Sequence, residues 1–328
     1  MLRILHCMAD GKCRTDLQVD GLAAALSSQV GVIWVDLNNT SQESSEAVLR
    51  GVFHFHHLAI DDALQESNVP KVDDWQDYLY LVLYSLNPTP QHPDPRNELD
   101  IFVSPRYIVT YHTEPIPALE YLWQLCAQDR TGRLWREGAD HILYNLANEM
   151  VKSYGHLAEQ LEDNLYTIED EIFNRPRHDI PQRIFQFKRE LSSLRRIIAP
   201  QRDVFLKLSR DDYAVIDAKD RIFFSDLYDH INQVYELIEN LRDRAHSALD
   251  THLSIVNNRM NDVMKALAVV TALFLPLTFI TGFFGMNFFQ PVFQSSLWTG
   301  RVALVVALVS MILIPIGLYV WMRRRSWL

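Results

Sequence analysis

Acidic residues stop at Asp262. From Met264 to Leu328 the chain has no Asp or Glu, although 41 precede that stretch, and five of the 31 basic residues (Lys265, Arg301, Arg323, Arg324, Arg325) fall within it. Residues 1–263 therefore carry −15 and residues 264–328 carry +5, within a net charge of −10. An acidic body of this kind argues against nucleic acid as a partner and favours cations. Glycine is missing between Gly155 and Gly282, and neither glycine nor proline occurs from Ala214 to Leu275. Tight turns are thereby excluded over long stretches, and helices are expected. The cysteines Cys7, Cys13 and Cys126 are odd in number and show no Cys-x-x-Cys spacing, which argues against a disulfide framework and fits a reducing compartment. A glycine-rich phosphate loop of the Walker type is also lacking, so ATP-driven work has no support. Nucleophile, base and cofactor motifs do not converge, so an enzyme is not expected. The N-terminus lacks a signal-peptide apolar core, so membrane insertion is expected to rely on later segments.

Those segments are two uncharged apolar runs, Ala266–Phe284 and Val302–Met322, of about 19 and 21 residues. Each is long enough to cross a hydrocarbon core of roughly 30 Å at about 1.5 Å rise per residue. Arg259 and Lys265 flank the first run and Arg323–Arg325 follow the second, while Phe288–Gly300 between them is uncharged. The basic residues place both termini in the cytoplasm and leave a short external loop. A plasma (inner) membrane protein with two spans and a large cytoplasmic body is expected.

Residues 1–135 read as a mixed α/β domain. Val32–Leu37, Leu79–Leu86, Leu99–Val103 and Tyr107–His112 are short β-branched and aromatic runs typical of strands, and Pro88–Pro95 marks a loop. Residues 136–213 read as a helical hairpin. Ile142, Leu146, Met150, Tyr154, Leu157, Leu161, Leu165, Ile168 and Ile172 recur at steps of three and four, one buried stripe of a helix ending at Asn174-Arg175-Pro176. Pro181 opens a second helix, expected to stop near Ile198 before Pro200. Residues 214–287 read as a stalk helix starting near Asp220 and continuing into the first span. Residues 288–300 form the external loop, 301–322 the second span and 323–328 a basic tail that anchors at inner headgroups. Along the stalk, Asp250, Leu253, Asn257, Asn261, Met264, Leu267, Thr271, Leu275, Thr278 and Gly282 follow helical spacing. This mixed polar and apolar stripe suits self-association around an axis better than lipid contact.

Pro276-Leu277-Thr278-Phe279 followed by Gly285-Met286-Asn287-Phe288 near the C-terminus resembles the CorA family of divalent-cation channels. Ile60-Asp61-Asp62-Ala63-Leu64 with Pro70-Lys71-Val72, Asp226-Leu227-Tyr228-Asp229-His230 and the closing Arg323–Leu328 agree with it, so the likeness spans nearly the whole chain. The resemblance implies a CorA-like homopentameric funnel, with an α/β cytoplasmic domain, long stalk helices and two C-terminal transmembrane helices. It implies a selectivity filter of Gly285, Met286 and Asn287. Asn261, Met264, Leu267, Thr271, Leu275, Thr278 and Gly282 would line the pore. Mg²⁺ would be both transported and regulatory ion, with no organic cofactor. Asp62 and Asp250, with Asp61 and Asp226 as a second set, would bind regulatory Mg²⁺ between subunits and hold the channel closed.

Physical chemistry supports these expectations. Two spans cannot enclose a water-filled path, so transport requires an oligomer. A ring of neutral Asn287 amides suits a hydrated ion, which must bind without being held too firmly to leave, and Mg²⁺ sheds its waters reluctantly. Asn287 also suits an ordinary helix C-cap. Leu275, Leu267 and Met264 could gate by dewetting. His54-Phe55-His56-His57 resembles a metal tract, but its place before the Asp61-Asp62 helix favours loop and packing roles. The acids of Glu159–Glu171 suit a solvated helix face. In one respect the chain departs from many Mg²⁺-type relatives: Phe288–Gly300 holds no acidic residue. Met286 nonetheless leans towards the Mg²⁺/Co²⁺ branch. The rival on the same fold is a Zn²⁺, Co²⁺ or Ni²⁺ transporter, with or without proton coupling. A two-span receptor would need an external sensing domain that the short loop cannot supply.

Overall fold

The structure, a computed structural model, describes residues 1–286 and 301–325 apart from 9–12, 16, 29, 66–68, 87–95, 130–134, 136 and 175–178. Seven strands form one mixed sheet in the order β2-β1-β3-β7-β6-β5-β4. They are β1 (Leu2–Cys7), β2 (Cys13–Arg14), β3 (Val32–Asn38), β4 (Lys71–Asp74), β5 (Leu79–Leu86), β6 (Arg96–Val103) and β7 (Tyr107–His112). Only β3 and β7 pair in parallel; the other neighbours are antiparallel. Every residue of β5 is buried, which is why it reads as a continuous apolar run and not as an alternating one.

One sheet face packs on α1 (Val19–Ser27), α2 (Gln42–Gly51) and α3 (His57–Gln65). Its core joins Ile33, Val35 and Leu37 of β3 to Leu22, Leu49, Phe55 and Ile60. The His54–His57 tract serves packing: the Phe55 ring stacks 4.3 Å from that of Phe102, and the His56 ring lies 4.2 Å from that of Trp75.

On the other face, register aligns Arg3 of β1 with Asp36 of β3, and Asp36 with Thr110 of β7. Arg3 Nε donates to Asp36 Oδ2 at 2.8 Å and Thr110 Oγ1 donates to Asp36 Oδ1 at 2.6 Å. His112 Nε2 lies 3.3 Å from the same carboxylate. From α4 (Pro117–Gln128), Glu120 reaches Arg3 Nη2 at 2.7 Å and Trp123 lies under the guanidinium. Burial alone would raise the Asp36 pKa, but His112, Thr110 and Arg3 outweigh it and hold the carboxyl below its usual range.

The helices α5 (Ala139–Asn174) and α6 (Ile180–Arg210) lie against β4–β7. The predicted stripe of α5 is buried, except that Ala158 takes the place beside a half-buried Leu157. Pro200 does not end α6, contrary to expectation. A proline inside a helix costs about 3 kcal/mol, and here the buried stripe runs on through Gln201, Val204, Phe205 and Leu208, so packing offsets that loss. Gln201 also ties the helix to the sheet edge. Its Oε1 accepts from Tyr84 N at 3.0 Å and from Tyr154 Oη at 3.1 Å, and its Nε2 donates to Ile197 O at 3.2 Å. Gln201→Leu strands the buried Tyr84 N–H and is expected to cost about 1–3 kcal/mol, read as a lower thermal unfolding midpoint of the detergent-solubilised protein.

The cysteine expectation also needs correction. Cys7 and Cys13 face each other across β1 and β2 and form a disulfide, while Cys126 is free and buried. The last two helices are α7 (Arg221–Gly285), 65 residues with Pro276 inside it, and α8 (Arg301–Arg324), with Pro315 inside it. Contacts divide the chain into two units, Met1–Ala248 and Leu249–Leu328.

Candidate ion path and carboxylate sites

Both apolar helices meet the length and composition needed to cross a membrane, and neither is buried within one chain. Leu267 and Leu275 are more than half exposed, as are Met264, Phe274 and Phe279. So much bare apolar surface requires lipid, further copies of the chain, or both. Asn261, Met264, Leu267, Thr271, Leu275, Thr278 and Gly282 all lie on α7, within an arc of about 120° at roughly 100° per residue. Three threonine hydroxyls in this helix turn back on their own backbone: Thr271 donates to Leu267 O at 2.8 Å, Thr278 to Phe274 O at 3.0 Å and Thr281 to Leu277 O at 3.0 Å. Such back-bonding satisfies the hydroxyl hydrogen where water is scarce. Asn261 and Met264 also border a groove that Met322 of α8, itself buried, lines as well. Gly285 ends α7 and Met286 N bonds back to Phe283 O. Asn287 and the loop after it lie outside the described residues.

The four aspartates have separate surroundings. Asp61 and Asp62 lie on α3, Asp61 exposed and Asp62 half-buried. The Asp62 carboxylate is held by Lys71 Nζ at 2.5 Å, and the same ammonium reaches Asp73 at 2.8 Å. Burial works against the Lys71 charge, but the two carboxylates outweigh it and raise its pKa. Asp226, near the start of α7, is exposed and lies 3.9 Å from His230. Asp250 is exposed. Among the described residues of one chain these four do not gather into one group, whereas Glu137, His141 and Asp220 bring three ligand atoms within 4.8 Å of one another. The i,i+4 spacing of Glu137 and His141 was a visible signal for it; Asp220, far along the chain, was not.

The CorA-like Mg²⁺ transporter family matches residues 29–324. The chain belongs to that family. It is 29% identical over 300 residues to the cobalt/magnesium transport protein CorA of Thermotoga maritima, covering 90% of this chain and 83% of that one. It is 25% identical over 325 residues to the zinc transport protein ZntB of Yersinia pseudotuberculosis, covering 97% and 94%. The complete structure of the CorA magnesium transporter from Methanocaldococcus jannaschii covers 100% of this chain and 99% of its own, with a TM-score of 0.81 and 22% identity. The protein is thus a CorA-family divalent cation transporter with the CorA fold. The mixed α/β domain, the long helix and the C-terminal apolar helices agree with the expectation from sequence.

Proposed function

We propose that this CorA-family member is a homopentameric, passive channel that imports Mg²⁺, and Co²⁺ as a second ion, across the plasma membrane with both termini in the cytoplasm. The observation that carries the reading is the uncharged stripe from Asn261 to Gly282 along the C-terminal part of α7, which is apolar and uncharged from Ala266 onward and runs directly into Gly285-Met286-Asn287. Five such stripes around an axis would give a path of amide, hydroxyl and apolar rings with no fixed charge, where an ion keeps its water. Kinship to CorA of Thermotoga maritima supports Mg²⁺ and Co²⁺ as cargo. Flux of Mg²⁺, Co²⁺ and Zn²⁺ into dye-loaded proteoliposomes without a pH gradient tests it. Passive Mg²⁺ entry supports the proposal, and entry of Zn²⁺ alone, or only with a proton gradient, overturns it. Two observations favour that second reading: the likeness to ZntB over nearly the whole chain, and an external loop without a carboxylate.

Closure would come from Mg²⁺ bridging Asp62 and Asp250, with Asp61 and Asp226 as a second pair, across subunit boundaries. A divalent ion turns carboxylate repulsion into attraction, shifting the population towards the closed state. Lys71 enters this balance as an internal competitor, because its ammonium already neutralises Asp62. Lys71→Met is therefore expected to lower the cytoplasmic Mg²⁺ concentration that half-closes the channel by roughly tenfold, about 1.4 kcal/mol. Flux measured against internal Mg²⁺ checks this, and an unchanged midpoint would remove Lys71 from the gate.

A further inference from the structure

Glu137, His141 and Asp220 stand apart from the stripe and the four aspartates. Gly138 shapes one side of the cluster. Its φ of +104° lies in the region L side chains rarely adopt, and a Cβ there would come within 2.6 Å of Asp140 Oδ1. The turn it permits leads from Glu137 into the first turn of α5, where Glu137 Oε2 lies 3.1 Å from His141 Nδ1. Asp220 shapes the other side, as the residue immediately before α7. Its N–H bonds to Asp217 O at 2.9 Å and its carbonyl accepts from Phe223 N at 3.0 Å. Asp217 N in turn donates to Asp140 Oδ2 at 3.0 Å, fixing the approach to α7 on the start of α5. One ligand atom from each of the three residues falls within 4.8 Å of the others.

Asp220 supplies a second, independent observation. It is 1% exposed, and its Oδ2 has no hydrogen-bond partner. Leaving a buried carboxylate oxygen unpartnered costs about 1–3 kcal/mol or more, and natural proteins rarely do so without a use for it. The neighbouring Lys219 pairs with Asp217 at 3.2 Å. Exposed Glu137 leaves the cluster open to solvent on one side.

We infer that Glu137, His141 and Asp220 form a binding site, within one subunit, for a borderline divalent cation of the Zn²⁺ or Co²⁺ class. An imidazole nitrogen beside two carboxylates is a donor set that such ions accept well. Mg²⁺ prefers oxygen alone and keeps several waters, so the site discriminates against the ion proposed for the pore. Bound there, the cation cross-links the first turn of α5 to the start of α7.

The test titrates Co²⁺ and Zn²⁺ into the full-length protein in detergent, with Mg²⁺ in excess to fill the all-oxygen sites. Calorimetry gives affinity, and the visible absorption of Co²⁺ reports nitrogen ligation. One ion per chain is expected, weakened about 10–100-fold by His141→Ala and by Glu137→Gln. Glu137 is exposed, so its variant keeps the fold even where His141→Ala does not. Asn287→Ala should bind as wild type, which separates this site from the channel reading. No binding in excess Mg²⁺, or equal affinity in wild type and Glu137→Gln, overturns the assignment.

Discussion

Asn287→Ala is expected to reduce Mg²⁺ entry into proteoliposomes by more than about tenfold while leaving the oligomer intact on size-exclusion chromatography. A tenfold fall corresponds to about 1.4 kcal/mol, a modest demand on a ring in which every subunit loses its amide together. On the proposed reading, a neutral amide oxygen would accept hydrogen bonds from the water shell of an ion without requiring its dehydration. Alanine leaves that shell facing methyl groups. Asn287→Asp makes the complementary case: a carboxylate ring binds the ion more firmly, so Mg²⁺ blocks at low concentration instead of passing. Undiminished flux through Asn287→Ala would move the filter elsewhere, and loss of the oligomer would make Asn287 a cap for α7.

The second large effect concerns the fold. Asp36→Asn is expected to destabilise the first unit by about 3–5 kcal/mol, seen as a lower thermal unfolding midpoint. Asp36 is fully buried, accepts from Arg3 and Thr110, and lies 3.3 Å from His112 Nε2. The amide keeps the shape but leaves the Arg3 guanidinium with only Glu120, on a partly exposed edge. The pH dependence has a definite sign. The folded pKa of Asp36 lies below its ordinary value, so its contribution is present above about pH 4 and is lost as pH falls through the folded pKa. Wild type should lose stability in that acidic window, and Asp36→Asn should lose less. Equal acid sensitivity in both would mean that other carboxylates dominate.

Local signals carried much of this structure. The runs at Val32, Leu79 and Tyr107 became strands because β-branched and aromatic residues fit a pleated, buried surface, and the stripe from Ile142 to Ile172 became one helix face. Other features depended on distant partners. Pro200 looked like a stop because its cost is local, whereas the offsetting contacts of α6 come from the sheet. Cys7 and Cys13 pair only once the β1–β2 register is known, and an odd cysteine count hid them. Asp62 was legible as an acid, but its neutralisation by Lys71 required β4 beside α3. Asp220 joined Glu137 and His141 only through the packing of the α7 start on α5.

The threonines of α7 have a further consequence. A hydroxyl whose hydrogen is committed to its own helix presents only lone pairs outward, and Thr271 and Thr278 both do so. Water around a cation points its hydrogens outward, whereas water around an anion points its oxygens outward. A lining of such threonines would therefore welcome a hydrated cation and repel the solvated anion, sorting ions by the sign of their charge through the orientation of their water.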